Sequence, residues 1–347
     1  MDARRRCRAF ARSRPATRRE RVRLPHPSAV TSRSTSMSTP VGSLANCQPG
    51  KTRRTLAMLV AGCLLCAGPA AKGADGAADL LNAYQSLLPR LEHNPFRREL
   101  YLDSQESPSM VKGEVYAVMA YPFATVHDVF TDSSRGPANW CDVLILHPNI
   151  KYCRATSGSD HNTLLVKVSK KEAAEEPGAT YRVQFQYAAA TTGPGYLQVK
   201  LHADRGPLGT RDYRIALEAA ALGDGRTFLH LTYSYGYSTI GRLAMKAYLA
   251  TFGRGKVGFT DVADPSATRP EYVGGMRGLM ERNTMRYYLA IDAYLGALSS
   301  PPDQQLARRL NNWFDASEQY PRQLHELDRQ QYLQMKGDEY RRQQAMQ

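Results

Sequence analysis

The sequence predicts an α+β domain in which one antiparallel sheet, apolar on a single face, is followed by a long helix. Three observations predict it. Apolar and polar residues alternate through Leu164, Val166 and Val168, through Tyr181, Val183, Phe185 and Tyr187, and again within 197–201, 213–217 and 229–237, the period of two expected of strands that bury one face. Turn signals separate these runs: Gly193-Pro194-Gly195, Gly206-Pro207-Leu208-Gly209 and Gly223-Asp224-Gly225. Finally, Leu279, Met280, Asn283, Tyr287, Ala290, Ile291, Tyr294 and Leu298 recur at helical spacing within 275–298.

The remaining elements follow in chain order. Residues 77–88 carry Leu80, Leu81, Tyr84, Leu87 and Leu88 at the spacing of an amphipathic helix, which Pro89 and Pro95 end or kink. A polar linker, 103–109, leads into a strand over 111–121 that stops at Pro122. A short helix is expected over 124–132, then a turn over 133–137 and a second short segment bearing Trp140, Cys141, Val143, Leu144 and Leu146. After the strands comes a helix over 240–252, and beyond Pro301-Pro302 a polar helical tail, 303–347, that contains Trp313, Phe314, Tyr320 and Tyr332.

Charge divides the chain unevenly. The 347 residues hold 46 Lys+Arg against 32 Asp+Glu. Residues 1–54 contain fourteen of the basic side chains and two of the acidic ones, and Lys72 is a further basic one, so 75–347 has 31 basic and 30 acidic groups. A nearly neutral body has no general attraction to nucleic acid, and none is expected as a partner. Residues 1–50 read as a disordered basic leader or as translation from upstream of the true start, for which Met37 is available. Residues 51–74 read as a signal peptide: Lys51, Arg53 and Arg54, then an apolar stretch from Leu56 to Ala67, then small residues at Ala70-Ala71 and Gly73-Ala74. Export to the periplasm with cleavage between Ala70 and Asp75 is the expectation, a retained anchor the alternative, and lipoprotein attachment at Cys63 a weaker one.

Four of the six cysteines lie in the leader, leaving Cys141 and Cys153. In an oxidising compartment an even pair twelve residues apart reads as a disulfide, and two buried thiols are the alternative. With no Cys-x-x-Cys pair beyond the leader and no His-Glu-x-x-His spacing, the sequence offers no metal site.

Strand, two short helices, five or six antiparallel strands and a long helix form the element order of the helix-grip fold. On that order, and on Pro122, Val126, Val129, Phe130, Asp132, Pro137 and Trp140 after the first strand, residues 110–298 resemble the START/SRPBCC (Bet v 1-like) superfamily. Residues 75–109 and 299–347 are additions on either flank. The resemblance implies a curved antiparallel sheet wrapped on the long C-terminal helix, with an apolar chamber between them and no cofactor. Lining is expected from Val166, Val183, Phe185, Val199, Ile215, Leu229, Leu231, Tyr233 and Tyr235 on the sheet and from Met280, Tyr287 and Ile291 on the helix. A solid core with tyrosines at its rim is the competing reading. The chamber implies a carrier or sensor of a lipid-like hydrophobic ligand. A polyketide cyclase- or dehydratase-like enzyme and a non-catalytic interaction platform, touching membrane or envelope proteins through the tail, are the alternatives. No catalytic residue is assigned.

Other patterns are weaker. Gly253-Arg254-Gly255-Lys256-Val257-Gly258 has the form G-x-G-x-x-G but follows a helix, so it reads as a flexible pocket entrance formed by Gly253, Arg254, Gly255 and Lys256, not as a dinucleotide loop. His127, His147, His161, His202 and His230 are scattered, and His230 falls on the strand face opposite Leu229 and Leu231. Asp142 with His147, and Arg211 with Asp212, are either acid–base groups at a pocket rim or ordinary ion pairs.

Overall fold

The computed structural model describes residues 71–158, 162–170, 180–191, 195–251, 253–264 and 266–346. The leader, most of the signal segment, His161 and the Gly193-Pro194 part of one turn lie outside the described residues. The body opens with α1 (Ala71–Glu92), β1 (Leu100–Glu106) and β2 (Met110–Met119), then α2 (Phe123–Thr131) and α3 (Gly136–Leu144). Six strands follow: β3 (Ile150–Thr156), β4 (Asn162–Val168), β5 (Tyr181–Thr191), β6 (Tyr196–Arg205), β7 (Thr210–Ala221) and β8 (Thr227–Tyr237). The chain then becomes helical through α4 (Thr239–Thr251), α5 (Gly275–Leu295), α6 (Pro302–Ser317), α7 (Pro321–Leu324) and α8 (Arg329–Ala345).

All eight strands form one antiparallel sheet in the order β1-β2-β8-β7-β6-β5-β4-β3. The strand before α2–α3 thus pairs with the strand before the final helices, which is the helix-grip arrangement. Alternation assigns the faces as expected: Val111, Val115 and Ala117 of β2 are buried opposite Tyr235, Leu231 and Leu229 of β8. The long helix α5 crosses this inner face and packs closely on β2. Gly113 has no side chain because none fits there; a Cβ at that position would stand 2.9 Å from Cγ of Met280.

Two regions depart from expectation. Residues 103–109 are not simply a linker, because Leu100, Leu102 and Ser104 turn inward on an edge strand whose other side bears Tyr101, Asp103 and Gln105. A short polar strand carries too weak an alternation to be read from sequence. The helix expected over 77–88 runs on through Pro89 to Glu92 and lies on the outer face of the sheet, where Leu80 and Leu91 pack with Phe228, Tyr196 and Ala220.

The tail is part of the fold. Trp313 and Tyr332 are buried and stacked at 4.9 Å, and the indole N–H of Trp313 donates to the carbonyl of Arg286 on α5. Meanwhile α8 covers the free edge of the sheet: Gln343 accepts from the backbone N–H of Cys153, and the Lys336 ammonium donates to the carbonyls of His147 and Ile150. An edge covered by a helix cannot pair with another strand.

Candidate functional site

The inner face of the sheet has two ends. Toward α2 and α3, the rows Val199–Leu217–Leu231 and Leu197–Ala219–Leu229 are filled. There α2 packs on β5, β6 and β7, Phe130 meets Trp140 at 5.2 Å and Tyr294 of α5 at 6.3 Å, and the Tyr187 hydroxyl donates to the carbonyl of Phe130. Cys141 and Cys153 are bonded, with Cα atoms 5.2 Å apart, and tie α3 to β3.

Toward α4 the same face is hollow. A cavity of about 120 Å³ lies between β4, β5, β7 and β8 on one side and the first half of α5 on the other. Val166, Val183, Phe185, Ile215, Tyr233, Tyr235 and Tyr287 line it. Val199, Leu229, Leu231, Met280 and Ile291, expected beside them, are buried in the filled region or against β2. Strand alternation states which face a side chain occupies but not how far along the strand a partner helix fills the space. Met280 shares the stripe of α5 with Tyr287 but stands two turns earlier, where the helix packs on β2 at Gly113.

The lining also includes groups outside the expected set, chiefly His147, Tyr213, Met245, Tyr248, Asn283 and Arg286. Tyr213 shares parity with Ile215, and Arg286 lies three residues after Asn283, so both fall on faces the pattern marks as inward. A guanidinium on such a stripe is passed over because its partners come from a distant tail.

Those partners define a polar wall. Arg286 Nη2 donates to Glu326 Oε1 at 2.6 Å, the Arg282 guanidinium bonds the same oxygen, and Lys256 Nζ reaches Glu326 Oε2 at 2.7 Å. Burial works to raise the Glu326 carboxyl, but Arg286, Arg282 and Lys256 outweigh it and hold it below the usual range. Three cations therefore share one carboxylate. Deeper along this wall, His147 Nδ1 accepts from the backbone N–H of Asn149 at 3.2 Å, so Nε2 carries the proton and donates to Asn283 Oδ1 at 3.3 Å. Burial, then the charge of Arg286, push His147 well below its ordinary pKa, with Lys336 and Lys151 adding to the effect. The imidazole is neutral, and both ring nitrogens are occupied.

The opposite wall is aromatic. Tyr213 stacks on Tyr235 at 4.9 Å, and Tyr233 meets Tyr287 edge-on at 5.2 Å. Burial pushes Tyr213 up to about 12 and raises Tyr233, Tyr235 and Tyr287 as well, so these hydroxyls stay protonated. Two buried polar atoms of the lining residues have no hydrogen-bond partner: the Tyr235 hydroxyl and Nε of Arg286.

Residues 253–256 do not contribute to the lining. The segment is tied down instead: Arg322 donates to the Gly255 carbonyl, Lys256 is held by Glu326, and the buried Glu281 accepts from the backbone N–H groups of Phe259 and Thr260. Its neighbour α4 borders the chamber, through Met245 and Tyr248. Asp142 and His147 are not partners, since Asp142 pairs with Arg309 at 2.7 Å. Asp212 bonds Arg214 and His202, not Arg211. On the outer face His230 sits between Glu114 and Glu218, at 2.9 and 3.1 Å.

No protein-family model matches the chain, and no curated protein matches it. Among solved structures, human StAR-related lipid transfer protein 5 is 9% identical with a TM-score of 0.28, over 70% of this chain and 97% of its own. Ara h 8.0201 is 11% identical with a TM-score of 0.30, over 57% and 99%. The ZhuI aromatase/cyclase from Streptomyces sp. R1128 is 14% identical with a TM-score of 0.28, over 41% and 85%. Similarity this distant says nothing of ligand or activity.

Proposed function

We propose that this helix-grip chain binds a small hydrophobic molecule bearing a hydrogen-bond acceptor, and acts as its carrier or sensor. The observation that carries the reading is the pair of unpartnered atoms, the Tyr235 hydroxyl and Arg286 Nε, on residues that line an otherwise largely apolar cavity. A buried donor without a partner costs about 1–3 kcal/mol, which a ligand oxygen would recover. The Arg286 guanidinium, whose Nε is one of those two atoms, favours an acceptor that is anionic or strongly polarised.

Size refines the ligand class. A closed cavity of about 150 Å³ holds one benzene ring, so the resting chamber of about 120 Å³ accepts a ring or a short stretch of chain. A whole lipid requires the Met245–Tyr248 side to move outward. Catalysis is the weaker reading: among the described residues no carboxylate lines the cavity, and the one imidazole there has its lone pair engaged by Asn149. The proposal includes export to an oxidising compartment, supported by the signal grammar of 51–74 and by the Cys141–Cys153 bond.

Native mass spectrometry of the purified protein tests this reading, followed by titration of the extracted protein with a fluorescent fatty acid. One hydrophobic molecule per chain is expected, with Val183→Trp, which places an indole in the cavity, abolishing uptake while the circular dichroism spectrum is retained. Uptake by Val183→Trp equal to that of the parent would place the ligand elsewhere.

A further inference from the structure

We propose that α4 is a membrane-contacting helix that seats the open side of the chamber on an anionic lipid surface. Ile240 and Leu243 are 82% and 70% exposed, the two most exposed large apolar side chains among the described residues. They stand one turn apart, and Ala247 and Ala250, also exposed, continue the stripe at helical spacing. The helix cannot bury this stripe by rolling over, because its other side is committed: Gly241 and Met245 are buried, and Met245 and Tyr248 border the chamber. A Cβ on Gly241 would stand 2.9 Å from the carbonyl oxygen of Gly209, so the helix is seated directly on the turn before β7.

Charge identifies the occupant. The sequence of α4, TIGRLAMKAYLAT, has no acidic residue, and along one side of the apolar stripe run Lys246 and Arg242, the latter paired with Glu106 of β1 at 3.7 Å. Arg254 follows, exposed, a few residues on. Apolar side chains in one band, basic ones along its side and no acid on the helix itself describe a helix that lies in the headgroup region of an anionic bilayer. A protein partner selected by the same stripe would have no need of Lys246 and Arg254 beside it. The arrangement also gives the contact a purpose: pulling Ile240 and Leu243 into lipid draws on the same short helix that closes the cavity with Met245 and Tyr248.

The test reads α4 itself, so that the apolar leader segment cannot mimic it. Leu243→Trp introduces an exposed indole into a chain whose two tryptophans, Trp140 and Trp313, are buried. With vesicles of phosphatidylcholine and phosphatidylglycerol its emission should shift to the blue and be quenched by brominated lipid. Phosphatidylcholine alone should produce little change, and added salt should reverse the shift. In co-sedimentation, Ile240→Ser/Leu243→Ser should bind the anionic vesicles about tenfold or more weakly than the parent, with unchanged uptake of the fluorescent fatty acid. An unshifted indole in sedimenting protein overturns the proposal, as does a serine variant that binds like the parent. Self-association of the parent that the serine variant loses also overturns it, assigning the stripe to a second copy. Vesicle contact does not depend on the chamber being filled, so an empty chamber with a shifted indole counts against the ligand reading alone.

Discussion

The two ends of the sheet's inner face are built from the same kinds of strand and differ in what covers them. At the α2–α3 end, Phe130, Trp140 and Tyr294 fill the space and a disulfide fastens the covering helix to β3. At the α4 end the cover is a thin helix whose inward residues are Met245 and Tyr248, and a cavity remains. On the proposed function the filled end carries stability and the hollow end carries recognition. Changes at the first should therefore be felt as unfolding, and changes at the second as altered binding.

The largest effect is expected from Trp140→Ala, which removes a fully buried indole. It should cost about 3–5 kcal/mol in urea unfolding, and any surviving folded fraction should still take up ligand. Replacing Cys141 and Cys153 together by alanine should cost about 3 kcal/mol for a loop of this size, again with uptake retained. A loss of affinity that exceeds the loss of folded protein in either variant would erase the distinction between the two ends.

At the hollow end, His147 supplies a pH test. Its folded pKa is depressed, mainly by burial and then by Arg286, so the unfolded chain takes up a proton near pH 6.5 that the folded chain refuses. Its contribution is complete above that pH and is lost as pH falls below it toward the depressed folded value. His147→Gln should flatten that slope. His230 has the opposite sign: burial lowers its pKa, but the bonds to Glu114 and Glu218 outweigh burial and raise it. Its contribution is complete below pH 6.5 and disappears as pH rises through the raised folded value. Denaturation midpoints measured across pH 5 to 8 in the two single variants separate the inner from the outer histidine.

The smallest expected effect is the most diagnostic. Tyr235→Phe removes a hydroxyl that has no partner, so the unliganded protein should become more stable by about 1 kcal/mol while binding the fluorescent fatty acid less tightly. Equal affinity would show that the hydroxyl does not meet the ligand.

Much of this architecture was legible in the sequence because strands that bury one face alternate strictly. The runs at 181–187, 213–217 and 229–237 and the stripe through Tyr287 and Ile291 suffice to orient the sheet and the long helix. The limits of the cavity were not legible, since Val199 and Val183 carry the same pattern and only the position of α2 separates a filled row from an empty one. Nor was the polar wall. Arg286 and Glu326 are forty residues apart, and a basic residue on a helix with a glutamate in a distant polar tail is, by composition alone, an ordinary pair of surface charges. The edge strand β1 was hidden because it has few apolar residues, with Asp103 and Gln105 facing outward and Ser104 and Glu106 ending the inward row in polar groups.

That separation bears on how the chain is made. The sheet and α5 leave the ribosome before Glu326, whose carboxylate neutralises Arg282 and Arg286, and before Lys336, which bonds the carbonyls of His147 and Ile150. At about 5–20 residues per second, forty residues take seconds to follow, long compared with the folding of a small domain. Throughout that interval Arg286, destined for the interior, lacks the carboxylate it bonds in the finished fold, and the first half of α5 settles against the sheet only at the cost of burying that charge. Closure of the chamber is thereby deferred until synthesis is nearly complete, and a chain cut short before residue 326 keeps the hollow end of its inner face open.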